Sequence, residues 1–230
     1  MPLQKNQVLT LTIERLSNDG SGVAHSPDGE AVFIPGTAPG DVAAIRIVKD
    51  CGRYAFGILD AIQAPSPDRI PVDCAVAGPC GGCSLRHLDY AAELRAKQES
   101  VLDAFRRIGG LDVPVLNICP SPEADRYRNK VQFPVSRGKC GLSIGFYRPR
   151  SHDVVDTEDC LLQPEADTAL RLAFKGWMED FQIPAYDECT GRGLIRHLYI
   201  RTNRAGEALC CVVANGKELP HTGELSGALR

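Results

Sequence analysis

The sequence predicts a multidomain chain, with a small β-barrel followed by a mixed α/β (α+β) domain that carries a cysteine-rich loop. Two observations give the domains: short alternating segments between glycine and proline turns fill residues 1–62, and strand and helix patterns mix over residues 63–230. A third gives the loop, since "CAVAGPCGGC" holds three cysteines within residues 74–83. We therefore expect a domain boundary between residues 62 and 63.

The barrel is predicted from strands that are short and closely spaced. Apolar and polar residues alternate in "QVLTLTI", which is the period of a half-buried strand. A glycine turn, "NDGSGVA", separates this strand from the next, and a proline-rich segment at 64–71 is typical of a linker. The predicted strands are residues 7–13, 31–35, 42–48 and 54–62.

The second domain begins with the clearest helix of the chain. Apolar residues recur on one face between Tyr90 and Ile108, and Gly109-Gly110 ends the helix. We expect that apolar face to pack against a core. A second helix is predicted over residues 164–181, and two hairpins are predicted, one turning at "SRGKCG" and one at "TNRAG".

Composition excludes several classes of protein. The first residues contain no apolar stretch of the signal-peptide type, and no window approaches the length of a membrane span. We expect a cytoplasmic protein without a membrane partner. In that compartment ten cysteines favour metal binding by the clustered ones over a disulfide framework.

The clustered cysteines, Cys74, Cys80 and Cys83, are spaced C-x5-C-x2-C, which leaves a four-ligand site one thiolate short. Cys160 is prominent among the other cysteines because it ends an extended segment just before a predicted helix, but spacing alone does not select it. Structural zinc sites usually pair two C-x2-4-C knuckles, and this chain has one. Three local cysteines with one remote cysteine favour an iron–sulfur cluster, with zinc as the alternative.

Positive charge is concentrated in two stretches although the formal net charge is −3. Residues 126–150 hold seven Arg or Lys and no acid, and residues 189–206 hold four Arg and no acid. Such local charge is typical of a phosphate-binding face, so we expect RNA contacts here, while Phe133 and Phe146 are expected to face the core. The candidate RNA-binding residues are Arg126, Arg128, Asn129, Lys130, Arg148, Arg150, His152, Arg192, Arg196 and His197.

Several motifs, in order along the chain, resemble those of the RNA uracil-5-methyltransferases, in the iron–sulfur branch that modifies 23S ribosomal RNA. "GSGVA" and "VFIPGTAPGD" resemble a TRAM domain, an OB-like RNA-binding barrel. "CAVAGPCGGCSLRHLDY" is similar to the cluster loop of that family, and "LDAFRRIGG" to the helix after it. "YRNKVQFPV", "GFYRPRSHDVVDTEDCLL" and "RGLIRHLYIR" resemble its central RNA-binding domain.

The resemblance implies a fourth ligand, a cofactor and a substrate. Cys160 stands where the family has its fourth cluster ligand, so a [4Fe-4S] cluster held by Cys74, Cys80, Cys83 and Cys160 is implied, in a structural role. The implied reaction forms 5-methyluridine in a single-stranded or loop region of 23S rRNA, with S-adenosylmethionine as methyl donor. We expect a monomer.

The family also has a C-terminal Rossmann-like domain that binds S-adenosylmethionine and carries the catalytic cysteine. No Gly-rich strand-to-helix turn of that kind is recognisable here, and "ICPSP" precedes "YRNK" and lies in the wrong domain. We therefore expect the C-terminal domain to be absent, the central domain to be incomplete at its C-terminus, and the chain alone to be inactive. No catalytic residue is assigned, and S-adenosylmethionine is expected only with the missing domain. The alternatives are a free-standing, non-catalytic RNA-binding iron–sulfur module and a zinc ribbon protein.

Overall fold

A computed structural model describes residues 3–138 and 141–230. The chain divides into two compact units, each built from two segments. The first contains the residues up to Asp73 together with Cys83–Ser121, and the second contains Cys74–Gly82 together with Pro122–Arg230. This division differs from the boundary expected between residues 62 and 63, because the first long helix belongs to the same unit as the barrel.

The first unit contains a six-stranded sheet in the order β1-β5-β6-β4-β3-β2. All neighbours in this order are antiparallel except β4 and β6, which are parallel. Because β2 follows β1 after only two residues and lies at the opposite end of the order, this bent segment joins both edges and closes the sheet into a barrel. The strands are β1 (Val8–Thr12), β2 (Arg15–Leu16), β3 (Gly22–His25), β4 (Ala31–Ile34), β5 (Val42–Asp50) and β6 (Tyr54–Ala64).

Strand alternation determines which side chains fill the barrel. Ile13, Ile34, Ile45 and Ile47 are fully buried inside it, each removing apolar surface from water. Gly22 is required where β3 passes the interior, because a Cβ there would lie 2.0 Å from Thr37 Oγ1 and 2.8 Å from a methyl group of Ile13. Strands β1, β4, β5 and β6 lie close to where the sequence pattern places them. The expected glycine turn "NDGSGVA" instead runs into β3, and β2 was not predicted, because two to four residues are too few to show a period.

The proline-rich segment after β6 is fixed to the barrel. The buried carboxylate of Asp41 accepts hydrogen bonds from the Ser66 amide at 2.8 Å and from Arg69 Nη2 at 2.5 Å. It also accepts one from the Ala38 amide at 2.7 Å. Burial raises the pKa of Asp41, but the bonds from Arg69 and the two amides outweigh it and hold that pKa below its usual value. The segment expected to be a linker is thus bound along its length.

The long helix of the first unit is α1 (Tyr90–Asp103), which continues into a π-helical turn (Ala104–Ile108). It begins at Asp89, whose carboxylate accepts the Ala92 amide at 2.6 Å, a typical N-cap. The expected packing of its apolar face is wrong. Val101 and Phe105 are 45% and 38% exposed, and Ile108 is 82% exposed, because periodicity identifies an apolar face without determining what covers it.

The second unit contains a five-stranded antiparallel sheet in the order β11-β10-β7-β8-β9. Both predicted hairpins are present, one formed by β7 and β8 and one by β10 and β11. The sequence predicted as the first turn, "SRGKCG", includes residues 139 and 140, which lie outside the described residues. The strands are β7 (Lys130–Gly138), β8 (Gly141–Tyr147), β9 (Val154–Asp156), β10 (Ile195–Thr202) and β11 (Ala208–Ala214).

One face of this sheet is covered by α2 (Glu165–Asp180), with α3 (Thr222–Ala228) beside it. Phe133 from β7 is buried in the same core as Phe174 and Trp177 from α2, and its ring lies 5.3 Å from that of Phe146, which packs against this core. Along β7 the residues alternate, so Lys130 and Gln132 point to the opposite, exposed face. Among the described residues, no helix has both the length and the apolar character that crossing a membrane requires.

Candidate thiol centre and nucleic-acid face

The cysteine loop of the second unit (Cys74–Gly82) forms a compact turn and then contacts the end of β8. The Ala77 amide donates to the Cys74 carbonyl at 3.2 Å and the Cys80 amide to the Val76 carbonyl at 2.9 Å, so both cysteines lie on one compact turn. The Gly81 amide then donates to the Tyr147 carbonyl at the end of β8, at 3.0 Å. A Cβ on Gly81 would lie 2.8 Å from that carbonyl oxygen, which explains why glycine stands there.

The segment that carries Cys160 is held by one arginine. Arg126 donates two bonds to the Asp159 carboxylate, at 2.9 and 2.6 Å, and from Nη1 to the carbonyls of Cys160 and Gln163 at 3.0 and 2.9 Å. The Arg126 hydrogen bond lowers the pKa of Asp159 to about 2, with Thr168 adding a further bond. The Arg126 guanidinium therefore fixes the backbone on both sides of Cys160.

The thiols of Cys160 and Cys74 act electrostatically on the thiol of Cys80. Burial raises the pKa of Cys80, and the nearby thiols of Cys160 and Cys74 raise it further, while the Gly82 amide donates to Cys80 Sγ at 3.3 Å and opposes both. A cation bound among these sulfurs would relieve that repulsion. The donor set, sulfur with a backbone N–H directed at sulfur, suits a thiophilic metal centre.

Within residues 3–138 and 141–230, no three His, Cys, Asp or Glu side chains are already arranged as a metal site. The structure thus places Cys74, Cys80 and Cys160 in one region of the second unit without a preformed ligand cage. Cys83 follows Gly82 directly in the chain and begins the second segment of the first unit.

The predicted RNA-binding residues fall into three groups. Arg126 is occupied by Asp159 and by two carbonyls, so its guanidinium serves the Cys160 segment. Exposed side chains without a described role in holding the fold form the second group: Arg128, Asn129, Lys130, Arg148, Arg150 and Arg192. His152, Arg196 and His197 form the third group, because they line a common cleft of the second unit.

The exposed face of the five-stranded sheet combines charge with aromatic rings. On β10, Tyr199 and His197 alternate with the buried Leu198, and their ring centroids lie 6.4 Å apart. Arg201 pairs in register with Lys130 of β7. A sheet with helices on one face and aromatic and basic groups on the other is the arrangement by which several RNA-binding modules stack unpaired bases.

The comparisons with known proteins agree with an RNA-related role. The TRAM domain family model matches residues 2–59. An RNA methyltransferase of Halalkalibacterium halodurans, named as uncharacterized, is 41% identical over 96% of this chain and 48% of its own length. One from Clostridium tetani is 36% identical over 100% of this chain and 50% of its own. The chain therefore spans about half the length of these relatives.

A solved structure shows the same fold. The tRNA (uracil-54, C5)-methyltransferase of Pyrococcus abyssi, in complex with S-adenosyl-L-homocysteine, superimposes with a TM-score of 0.68 at 23% identity. The match covers 94% of this chain and 48% of that one. At this identity the likeness establishes the fold alone.

These matches correct two expectations. The methyltransferase domain was expected to be absent and the chain to be inactive by itself. Instead, 96–100% of the chain aligns with proteins named RNA methyltransferases, and 94% aligns with a solved methyltransferase. Both expectations are contradicted; they depended on failing to recognise a glycine-rich turn, and a short motif is a weak basis for inferring absence.

Sequence reasoning missed several residues that the structure brings to the exposed surfaces. Tyr186 and Glu188 lie in the loop before β10, where no regular pattern marks them. On the barrel, Phe33, Tyr54 and Phe56 form a group of rings with centroids 5.6–5.9 Å apart. Alternation along β4 and β6 was the available indication for these, since Val32 and Ala55 between them are buried.

Proposed function

We propose that this chain recognises RNA for an S-adenosylmethionine-dependent methyltransferase that forms 5-methyluridine in 23S rRNA. The observation that carries the proposal is the alignment of nearly the whole chain with proteins named RNA methyltransferases. The TRAM match at residues 2–59 and the basic, aromatic face of the second unit support the RNA part. The substrate region is a single-stranded or loop segment of RNA, because such segments expose bases for stacking.

We further propose that Cys74, Cys80, Cys83 and Cys160 hold a [4Fe-4S] cluster. The spacing of the first three, the electrostatic proximity of Cys74, Cys80 and Cys160, and the Gly82 amide directed at Cys80 Sγ support this set. When bound, the cluster supplies a covalent cross-link between the loop and the segment before α2. Its role is structural, because four thiolates leave no position open for substrate.

Different parts of the chain then have different roles in RNA recognition. Exposed arginines and Lys130 contact phosphates, while the barrel orients the RNA. Arg126 positions the Cys160 segment instead of contacting phosphate, because its donors are directed to Asp159 and two carbonyls. We expect the protein to act as a monomer in the cytoplasm, where its RNA substrate lies.

Deleting the gene in its own organism tests the proposed substrate. We expect 23S rRNA from the deletion strain to lose one 5-methyluridine, measured by nuclease digestion and mass spectrometry, while tRNA keeps all of its own. Complementation with the gene should restore the modification. Loss of 5-methyluridine from tRNA, with 23S rRNA unchanged, would show that the substrate is tRNA and not 23S rRNA. No change in either RNA would overturn the proposed reaction.

A further inference from the structure

The second unit contains a cleft of about 500 Å³ bounded by the end of β8, the start of β10 and the loop between α2 and β10. Its volume falls within the roughly 300–1,000 Å³ typical of small-ligand sites. The lining that carries the inference is formed by Tyr147, His152, Tyr186, Glu188, Arg196 and His197.

Several side chains of this lining are planar. The guanidinium carbon of Arg196 lies 4.4 Å from the centre of the Tyr186 ring, which leaves a stacked pair facing the cleft. In the same lining, the ring centroids of Tyr147 and His152 lie 5.3 Å apart at an interplanar angle of 32°. Aromatic rings and arginine planes are the groups on which proteins stack unpaired nucleobases.

The polar groups of the cleft suit a neutral, hydrogen-bonding ligand. Tyr147 Oη lies 3.4 Å from His197 Nε2, and His152 Nδ1 lies 2.5 Å from Glu188 Oε2. Burial, followed by the charge of Arg196, lowers the pKa of His197, so its imidazole is neutral near pH 7 and offers one donor and one acceptor. The cleft is lined by the carboxylates of Asp153, Asp187 and Glu188 and by the guanidinium groups of Arg137 and Arg196, so its acidic groups outnumber its basic ones and disfavour a bare phosphate.

The wall of the cleft is held in place by its own backbone. The Asp187 carboxylate accepts the amides of Cys189 and Thr190, and its amide donates to the Arg192 carbonyl at 2.7 Å. Gly193 has a φ of +100°, and a Cβ there would lie 2.0 Å from the Ala185 carbonyl oxygen. A wall fixed in this way presents Tyr186 without a large ordering cost on binding.

We propose that this cleft binds one unpaired nucleobase of RNA, stacked against the Tyr186–Arg196 pair, with the exposed Arg148 and Arg150 beside it to take the flanking phosphates. The inference rests on the proposed RNA recognition and adds the place where a base, rather than the backbone, is held. Because stacking tolerates every base, the cleft fixes a nucleotide in position and does not by itself select a sequence.

The test compares Tyr186→Leu with Tyr186→Phe in the whole chain, since Phe keeps the ring and Leu removes it. Fluorescence anisotropy measures binding of a single-stranded RNA dodecamer and of the same strand with every base removed. We expect Tyr186→Leu to bind the base-bearing strand roughly 5- to 150-fold more weakly, to bind the abasic strand like the wild type, and to keep the salt dependence unchanged. Tyr186→Phe should bind both strands like the wild type.

The outcomes separate this inference from the proposed function. If wild type and Tyr186→Leu bind the base-bearing strand equally, the proposal that the cleft binds a base is wrong, while RNA recognition by the chain stands. The same conclusion follows if Tyr186→Leu weakens the binding of both strands equally. Absence of wild-type binding to either strand overturns RNA recognition and the cleft together. As a second readout, 2-aminopurine in the strand should be quenched by the wild type and by Tyr186→Phe but not by Tyr186→Leu, and quenching by Tyr186→Leu contradicts stacking on this ring.

Discussion

Arg126 and Asp159 form a two-bond ion pair, with Nη1 2.9 Å from Oδ1 and Nη2 2.6 Å from Oδ2. The backbone of Arg126 is left-handed, with a φ of 56°, a conformation that costs a non-glycine residue about 1–2 kcal/mol. Its four side-chain hydrogen bonds hold the residue there. The pair determines where Cys160 lies, because the same guanidinium also binds the Cys160 carbonyl.

Replacing Arg126 by Ala should lower the free energy of unfolding by about 1–2 kcal/mol, because the partly exposed Asp159 carboxylate and two carbonyls lose the hydrogen bonds that Arg126 donates. Thermal unfolding followed by circular dichroism measures the change. Arg128→Ala is the matched control, since that side chain is exposed two positions away and should cost less than about 0.5 kcal/mol. Equal destabilisation by both variants would show that the hydrogen bonds of Arg126 do not stabilise the fold.

Gly81→Ala should destabilise the second unit by roughly 1–3 kcal/mol, because the new Cβ would lie 2.8 Å from the Tyr147 carbonyl oxygen and the backbone must shift. The control is Gly78→Ala in the same loop, where a Cβ would meet nothing within 4 Å. Chemical denaturation compares the two. A Gly81→Ala variant as stable as Gly78→Ala would contradict the close approach of the loop to β8.

Anaerobically purified protein should be brown and contain iron and sulfide in near-equal amounts if the four cysteines hold a cluster. Cys80→Ala and Cys160→Ala should each abolish the absorbance, since each removes a ligand. Cys211→Ala, an exposed cysteine on β11, is the control and should retain it. Loss of the cluster in Cys119→Ala but not in Cys160→Ala would reassign the fourth ligand, and a colourless protein containing zinc would exclude the cluster.

Reversing Arg128 and Lys130 to Glu should weaken RNA binding and flatten its salt dependence, because each lost phosphate contact removes about 0.7 from the log–log slope for single strands. Affinity is measured over a series of salt concentrations. Lys217→Glu with Arg230→Glu changes the net charge equally and lies outside both acid-free stretches, so it should leave the slope nearly unchanged. An unchanged slope in the Arg128 and Lys130 variant would make the barrel the leading RNA surface.

Asp41 should make the stability of the barrel sensitive to acid. Its pKa is lowered in the folded state from the usual 3.8, so its charged form stabilises the fold above that pH. The stabilisation is lost as the pH falls below about 4, where the unfolded state begins to bind the proton first. Asp41→Ala should cost about 2–4 kcal/mol near pH 7, because Arg69 and the amides of Ala38 and Ser66 lose the buried carboxylate that they bind.

The free energy of unfolding, measured between pH 2 and pH 7, tests whether stability falls as Asp41 becomes protonated. The wild type should lose stability towards pH 2 more steeply than Asp41→Ala, so that the difference between the two curves becomes smaller in acid. Parallel curves would show that Asp41 is not the responsible group.

Four of the six barrel strands and both hairpins were predictable because each has a local cause, while the short strands β2 and β3 were missed. Alternation buries Ile45 and Ile47 on one side of β5, and turns such as "TNRAG" fall between strands of matching pattern. The spacing of Cys74, Cys80 and Cys83 was equally local. Such features can be predicted because they depend only on residues that are close together in the sequence.

The features that were missed depend on distant partners. Arg126 was counted with the phosphate-binding arginines because its charge is visible in the sequence, while its partner Asp159 lies far along the chain. The apolar face of α1 was expected in a core, because periodicity does not show that Phe105 remains exposed. Tyr186 was overlooked because its importance comes from Arg196 above its ring.

The segment Cys74–Gly82 belongs to the second unit although the residues on both sides of it belong to the first. Neither unit is therefore a contiguous stretch of the gene. A fragment that begins at Pro122 would lack Cys74 and Cys80, and a barrel excised after residue 62 would lose the residues that hold Asp41. Exchanging either unit for that of another protein would therefore require replacing two separate segments of the chain.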